Sequence, residues 1–149
     1  MKKSGVLLPV FSLPSKFGIG DFGNNAKLFV DFLRKAGFSY WQILPITPTN
    51  AINGYSPYSS SSAFAGNFLF IDPVFFVEHG LLNESDLAPY ILPNSDKCNY
   101  EHATVAKKEI ITKAFENFSS NLEKFQDLKN EFVEFVCVNA KWLRPMQTL

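Results

Sequence analysis

The chain has 149 residues, of which 46% are hydrophobic and 15% aromatic, enough apolar material for the core of one domain. Its 14 basic side chains balance its 14 acidic ones, so no basic field favours nucleic acid and no polybasic run favours an anionic membrane surface. The balance predicts a neutral or weakly charged ligand, with no nucleic-acid and no membrane partner.

The cysteines and the first residues predict a cytoplasmic protein. Cys98 and Cys137 are far apart in the chain and no secretory signal accompanies them, which is typical of reduced thiols. The opening MKKSGVLLPVF has too short an apolar run for a signal peptide, and Pro9 interrupts it. No stretch approaches the roughly 20 apolar residues of a membrane span.

The first part of the chain has the pattern of a strand–helix–strand unit. Apolar runs at residues 5–10 and 40–46 predict two buried strands. Between them, NNAKLFVDFLRKAG spaces its apolar residues for a helix, with Asn24 as the expected N-cap and Gly37 just past the C-terminus. Because the connections are short, the two strands should be parallel.

The rest of the chain predicts one more strand and then helices. Residues 67–72 (NFLFID) predict a short strand, and residues 83–93 hold at most one short helix, ended by Pro89. Apolar residues recur every three or four positions in residues 103–118 and 122–143. These segments predict a helix pair, which Pro145 should end.

Residues 54–67, GYSPYSSSSAFAGN, form an uncharged segment rich in rings and hydroxyls. A linker would lack the rings, and a strand would not tolerate so many small residues and a proline. The segment follows the C-terminal end of the second strand, where parallel α/β folds bind ligands. It therefore predicts a loop that meets a neutral polyhydroxylated ligand. Tyr58, which follows Ser56 and Pro57, is the better ring for a sugar, whereas Tyr55 could equally pack the loop onto the fold.

The glycine-rich segment at residues 18–23 (GIGDFG) matches a dinucleotide-binding fingerprint. However, the glycines stand too far after the strand ending at Val10, and no acid for a ribose follows the second strand. Turn chemistry leading into a helix is the favoured interpretation.

Sugar chemistry usually needs two carboxylates, and the sequence offers no convincing pair. Asp72, at the end of a predicted strand, is the best-placed single acid, while Glu84 and Asp86 have the positions of first-turn helix acids. His79, His102 and the cysteines lack the spacing of metal ligands, so no metal site is expected.

Four segments in order resemble the start of the 4-α-glucanotransferases, also called amylomaltase or disproportionating enzyme (glycoside hydrolase family 77): SGVLLPVFSLPSKFGIGDFG, YWQILPITPTN, SPYSSSSAFAGN and NFLFID. The likeness runs from about residue 4 to residue 143, and AFENF and FVCVNAKWL resemble the family's helical insertion. The resemblance implies an α/β fold, with the first βα units of a (β/α)₈ TIM barrel at residues 1–82 and a sugar-facing loop at 47–67. The helical insertion follows at 83–143. Residues 144–149 match nothing in the family and form a divergent tail, which is typical of a truncated or frameshifted reading frame.

The resemblance further implies an enzyme that transfers α-1,4-glucan segments between maltooligosaccharides by a retaining double displacement, with no metal or organic cofactor. The family's aspartate nucleophile, glutamate acid/base and second aspartate would lie beyond this chain, so no catalytic residue is expected in it. Ser56 and Tyr58 carry over as residues that border the glucose unit near the scissile bond, and Tyr55 is a third candidate for substrate binding. The tyrosine of a secondary glucan site has no counterpart in residues 50–54.

A barrel of this type needs about 250 residues, so this chain is too short to close one. The leading hypothesis is an N-terminal fragment of a 4-α-glucanotransferase, inactive alone because it lacks the C-terminal part of the barrel. A stand-alone glucan-binding module and a helical interaction protein are the alternatives.

Overall fold

The computed structural model describes residues 2–93 and 95–146 of the chain. Strand β1 (Gly5–Leu7) and strand β2 (Tyr40–Gln42) pair in parallel, with Val6 opposite Trp41, and helix α1 (Asn24–Lys35) connects them. The βαβ prediction is confirmed, although both strands are shorter than predicted. The first stops before Pro9 and the second before Pro45, residues that have no N–H for a strand ladder.

Helix α1 begins one position earlier than predicted. Gly23 is the N-cap and Asn24 is already the first helical residue, so the assignment of Asn24 as the cap was wrong. The N–H of Gly23 bonds to the Asp21 carboxylate (3.1 Å), which holds the chain in an extended turn up to the helix. Gly37 follows the helix with φ of 80°, the left-handed conformation expected of a residue in that position.

The strand predicted at residues 67–72 is wrong. Phe68–Phe70 instead forms a 3₁₀ turn, capped by the Asn67 side chain, which accepts from the Leu69 N–H at 3.0 Å. Leu69 and Phe70 are both buried. A strand would send neighbouring side chains to opposite faces, whereas the turn lets both enter one core.

Four α-helices and one further 3₁₀ turn (Ala88–Tyr90) follow in the part of the chain that the structure describes. Helix α2 (Val74–Glu78) was not predicted, and helix α3 (Glu84–Leu87) ends just before Pro89, as expected. The long helices α4 (Tyr100–Ser120) and α5 (Gln126–Met146) confirm the predicted pair. Helix α5 runs one residue past Pro145, so that proline does not end it. The predicted tail at residues 144–149 lies outside the described residues, apart from the backbone of 144–146.

Helix α4 joins two apolar cores. Near its start, Ala103 packs with Val10, Ile19, Leu69 and Phe70, next to the strands. Towards its end, Ile110 and Ala114 pack with Leu87 of α3 and with residues next to the glycine-rich segment, after α2 and before α5, namely Phe17, Leu81, Leu82 and Phe125. The helical part of the chain is thus anchored directly on the βα loops. Over the described ranges, no helix combines the length and the apolar character that a membrane crossing requires.

Candidate functional site

The segment between β2 and the 3₁₀ turn forms a closed loop, residues 47–67, which we call the aromatic loop. Asn67 holds its two ends together: its N–H donates to the Ile46 carbonyl (2.8 Å) and its side-chain amide donates to the Thr49 hydroxyl (3.0 Å). Asn67 is itself buried, and its side-chain oxygen caps the turn that follows. The aromatic loop therefore projects from a fixed base at the C-terminal end of β2.

The middle of the aromatic loop contains a strained turn. Gly54 and Tyr55 have φ of 59° and 56°, and Tyr55 is the one non-glycine residue with positive φ in the part of the chain that the structure describes. The turn is closed by the Tyr55 N–H, which donates to the Asn50 carbonyl at 2.8 Å. The Tyr55 ring stacks on Tyr100 of α4, with ring centres 4.5 Å apart and an interplanar angle of 22°. Tyr55 thus packs the loop onto the fold.

Serine side chains of the aromatic loop bond to the loop's own backbone. The Ser62 hydroxyl oxygen accepts from the N–H groups of Phe64 (3.2 Å) and Ala65 (3.1 Å), and the Ser60 hydroxyl donates to the Ser62 carbonyl. The Ser56 hydroxyl oxygen accepts from the Tyr58 N–H at 3.4 Å, a long bond that a better ligand partner could replace. The serine run therefore shapes the loop.

Three large apolar side chains of the aromatic loop face solvent: Ile52 is 95% exposed, Tyr58 75% and Phe64 74%. Tyr58 directly follows Pro57, whose carbonyl accepts from the Thr47 hydroxyl at 3.4 Å. A tyrosine ring presented in this way offers an apolar face and a hydroxyl together, which suits a neutral polyhydroxylated ligand. The structure brings Ser56 and Tyr58 onto one exposed turn, while the Tyr55 ring lies against α4.

A buried ion pair lies beneath the loops. The ammonium of Lys107, on α4, donates to the Asp21 carboxylate (2.8 Å) and to the carbonyls of Leu69 (2.7 Å) and Ile71 (2.9 Å). Burial raises the pKa of the Asp21 carboxyl and lowers the pKa of Lys107, and the attraction between the two opposes both shifts. Because all three ammonium donors have acceptors, the charged pair is retained and ties α4 to two separate loops.

The helical spacing around Lys107 was a signal in the sequence that could have identified this residue as buried. Ala103, Lys107, Ile110 and Ala114 are spaced at four, three and four residues, so helical geometry places Lys107 in the centre of the apolar stripe. A charged residue in that position needs a buried partner of opposite charge. Asp21 could not be identified as that partner without the fold.

Asp72, the single acid that the sequence favoured for catalysis, accepts a hydrogen bond from the N–H of Val74 (3.0 Å), the first residue of helix α2. Its other oxygen lies against Gly23, where an added Cβ would come within 2.2 Å of it and within 2.9 Å of the Asp21 carboxylate. The two acids therefore flank one glycine. Asp21 is buried and bonded to Lys107, however, so this arrangement is structural and leaves no space for a sugar between the acids.

The remaining polar candidates have local roles. Glu84 and Asp86 lie in the first turn of α3, as predicted, and Asp86 completes a capping box with Asn83. The His79 ring bonds to the Phe75 carbonyl at the end of α2, and the His102 ring bonds to the Tyr90 carbonyl. Within the described residues, His, Cys, Asp and Glu form no cluster of three that could hold a metal ion.

A parallel βαβ unit with a shaped loop after its second strand defines the class of parallel α/β folds, which bind ligands at this end of their strands. The comparisons with known proteins make this specific. The chain belongs to the 4-alpha-glucanotransferase family, whose sequence profile matches residues 8–148. The match passes Leu143, so the expectation that the likeness stops at that residue was wrong.

Relatives and a solved structure agree with this assignment. The chain is 44% identical over 144 residues to a 4-alpha-glucanotransferase of Aquifex aeolicus and 42% identical over 144 residues to one of Streptococcus pneumoniae, covering 97% and 95% of this chain. An amylomaltase from Streptococcus agalactiae, solved in complex with acarbose, superposes with a TM-score of 0.78 at 34% identity over 90% of this chain. In all three cases the chain spans 27% of the other protein's length.

Proposed function

We propose that this chain forms the first βα units of a (β/α)₈ barrel in a 4-α-glucanotransferase, and that its aromatic loop is part of the glucan-binding surface. The enzyme would transfer α-1,4-glucan segments between maltooligosaccharides, and Ser56 and Tyr58 would contact the sugar. The observation that carries the proposal is the Tyr58 ring, 75% exposed on a loop whose base is fixed by Asn67. Tyr55 would contribute through its position in the same turn.

Two features of the chain support this role. The aromatic loop follows a parallel strand at its C-terminal end, which is the face where barrel enzymes bind substrates. The solved amylomaltase that this chain resembles is in complex with acarbose. The proposed substrate for this chain is accordingly an α-1,4-glucan, held by ring stacking and by hydrogen bonds to its hydroxyls.

Catalysis would need carboxylates other than those described in this chain. Asp21 is held by Lys107, and one oxygen of Asp72 accepts from the Val74 N–H at the start of α2. A retaining glycosidase mechanism requires two carboxyl groups about 5–5.5 Å apart with the sugar between them. We therefore propose that the chain contributes substrate contacts and that the reacting groups come from the further length that its relatives have. A cytoplasmic location is part of the same proposal.

Kinetics of a hybrid enzyme test the proposal: residues 47–67 are grafted into the barrel of the Aquifex aeolicus relative, and Tyr58→Ala and Tyr58→Phe are made in the graft. Tyr58→Ala should lower kcat/KM with maltotriose by about 10- to 100-fold, since it loses a stacking contact and a hydrogen bond of about 0.5–1.5 kcal/mol each. Tyr58→Phe should lose only the hydrogen-bond part. Phe64→Ala, equally exposed on the same loop, is the matched control and should change kcat/KM little. Equal losses for Tyr58→Ala and Phe64→Ala would contradict the proposal.

A further inference from the structure

Tyr55 is held in a backbone conformation that a tyrosine does not adopt by itself. Its φ of 56° lies in the left-handed region, where a Cβ atom crowds the following carbonyl. Such conformations persist when the surroundings over-determine them, and they cluster at ligand clamps. The residue after Tyr55 is Ser56, the first of the three residues that carry the exposed Tyr58 ring. The conformation of Tyr55 therefore sets the direction in which the Ser56–Pro57–Tyr58 segment leaves the turn.

The contact that holds Tyr55 comes from a distant helix. Its ring stacks on Tyr100, the first residue of α4, whose own ring contacts Phe11 (ring centres 6.1 Å apart). Tyr100 is half-buried between the β1–α1 loop and the aromatic loop, and burial raises the pKa of its hydroxyl to about 12. Tyr100 thus links the two loops that follow β1 and β2.

Helix α4 is a rigid support for this contact. One turn after Tyr100, Ala103 is fully buried against the first core. Asn99 caps the helix by accepting from the His102 N–H (3.0 Å), and its own N–H donates to the Gly18 carbonyl (2.7 Å). Further along, Lys107 fixes the helix through the buried ion pair. Contacts that do not involve the aromatic loop therefore hold the start of α4, where Tyr100 lies.

We propose that Tyr100 is a positioning residue for the aromatic loop: its ring holds Tyr55 in the left-handed conformation and so presents Ser56 and Tyr58 to the glucan. This inference rests on the proposed function for its ligand, but its structural part stands on the stack itself. Helix α4 would then determine glucan affinity without touching the sugar. Loss of the stack would release Tyr55 to an extended backbone, and the flexible Gly54 would not resist the change.

Hydrogen exchange read by mass spectrometry on the 149-residue chain tests this. The backbone bonds Tyr55 N–H to Asn50, Ser56 N–H to Asn53 and Ser59 N–H to Ser56 report the order of the loop. Tyr100→Leu should speed exchange of these amides by about two- to tenfold, which corresponds to the interaction free energy of one aromatic pair. The amides of Ala106–Ala114 should exchange as in the wild type. Tyr100→Phe, which keeps the ring, should restore wild-type exchange. Phe118→Leu is the matched control, because Phe118 packs near the other end of α4 against Phe125 and Phe132.

The outcomes separate this inference from the proposed function. Loop exchange unchanged in Tyr100→Leu would overturn the inference, and so would faster exchange spread through all of α4, since Tyr100 would then be an ordinary core residue. Tyr55→Leu should give the same loop-specific increase, and the double variant should add nothing to it. Maltotriose titration of the same proteins is the second readout. Selective loop loosening with no binding to any variant, wild type included, would sustain the positioning role and remove the proposed function.

Discussion

The two ends of α4 pack against two different regions: its start lies beside the βαβ unit, and its C-terminal half lies in the helical part of the chain. Beyond its C-terminal half, α2, α3 and α5 enclose a core in which Phe17, Ile110 and Phe125 are buried. On the other side, the sheet described by the structure has two strands, and large apolar side chains of the βαβ unit remain open to solvent, among them Leu7 (57% exposed) and Phe32 (58%). The helical part builds a core from its own elements, although it also exposes large apolar side chains such as Phe115 (57%) and Val138 (75%), whereas the two-stranded sheet has no further strand beside it in the described residues.

This difference shows which contacts the chain supplies and which the proposed barrel would supply. Two parallel strands with open edges are only marginally stable, because parallel sheets are normally covered on both faces. The aromatic loop is attached to this incomplete side and is braced there by Tyr100 at the start of α4 and by Asn67, both beside the first core. The loop can therefore keep its shape although the sheet beneath it is small.

Association in solution is the largest effect expected from this contrast. Exposed apolar faces and strand edges drive self-association, so sedimentation velocity should show species larger than a monomer that grow with protein concentration. Replacing Leu28 and Phe32 on α1 with Gln should reduce this clearly. Phe115→Gln, a comparably exposed site on α4, should reduce it less. A monomer with one sharp thermal transition would mean that the βαβ unit is complete as it stands.

Breaking the buried ion pair should have the next largest effect, a loss of folding stability, because Lys107 ties α4 to the loops beside the strands. Lys107→Met should lower the free energy of unfolding by about 3–5 kcal/mol, since it leaves the Asp21 carboxylate buried without a partner. Urea unfolding at low protein concentration measures this. Adding Asp21→Asn should recover part of the loss, because the amide removes the charge and can still accept from the Gly23 N–H.

The surface pair Lys113–Asp86 on the helical side is the matched control. Its bond is 2.7 Å long, but the lysine side chain is 54% exposed, so Lys113→Met should change the free energy of unfolding far less than Lys107→Met. Similar costs for Lys107→Met and Lys113→Met would show that the ion pair does not lock α4 to the loops.

A smaller loss of stability is expected from a substitution at Gly23, the N-cap of α1. Gly23→Ala should destabilise the fold by about 1–3 kcal/mol, because the new methyl group would overlap the Asp72 carboxylate. Gly66→Ala is the control: an added Cβ there meets nothing within 4 Å, and the unfolding free energy should change by less than about 1 kcal/mol. Thermal unfolding of the two variants side by side provides the measurement. An unchanged Tm for Gly23→Ala would mean that the two acids can move apart.

Much of the fold was predictable from local patterns. The 3.6-residue spacing and Gly37 located α1, and the same spacing located α4 and α5, because an amphipathic helix records its buried face in its own sequence. The parallel pairing of β1 and β2 followed from the intervening helix. The SPY segment could be assigned to a loop because of its glycines, serines and proline, and Tyr58 is exposed there.

The remainder depends on residues that are distant in sequence. NFLFID has the composition of a strand, and only the core formed by Val10, Ile19 and Ala103 makes a turn the better way to bury Leu69 and Phe70. No local pattern connects Tyr55 with Tyr100, or Asp21 with Lys107. These contacts arise once α4 packs across the loops, so the support of the candidate site was not visible in the sequence.

The central claim is that Tyr58 faces an α-1,4-glucan, and hydroxyl-radical footprinting of the 149-residue chain tests it most directly. Oxidation of Tyr58 is measured with maltotriose and with cellotriose, a β-linked sugar of the same composition that scavenges radicals equally. Phe115, exposed on α4, serves as the internal reference. Maltotriose should protect Tyr58 relative to cellotriose and leave Phe115 unchanged. Equal oxidation of Tyr58 with both sugars, or protection confined to residues outside 47–67, would contradict the claim.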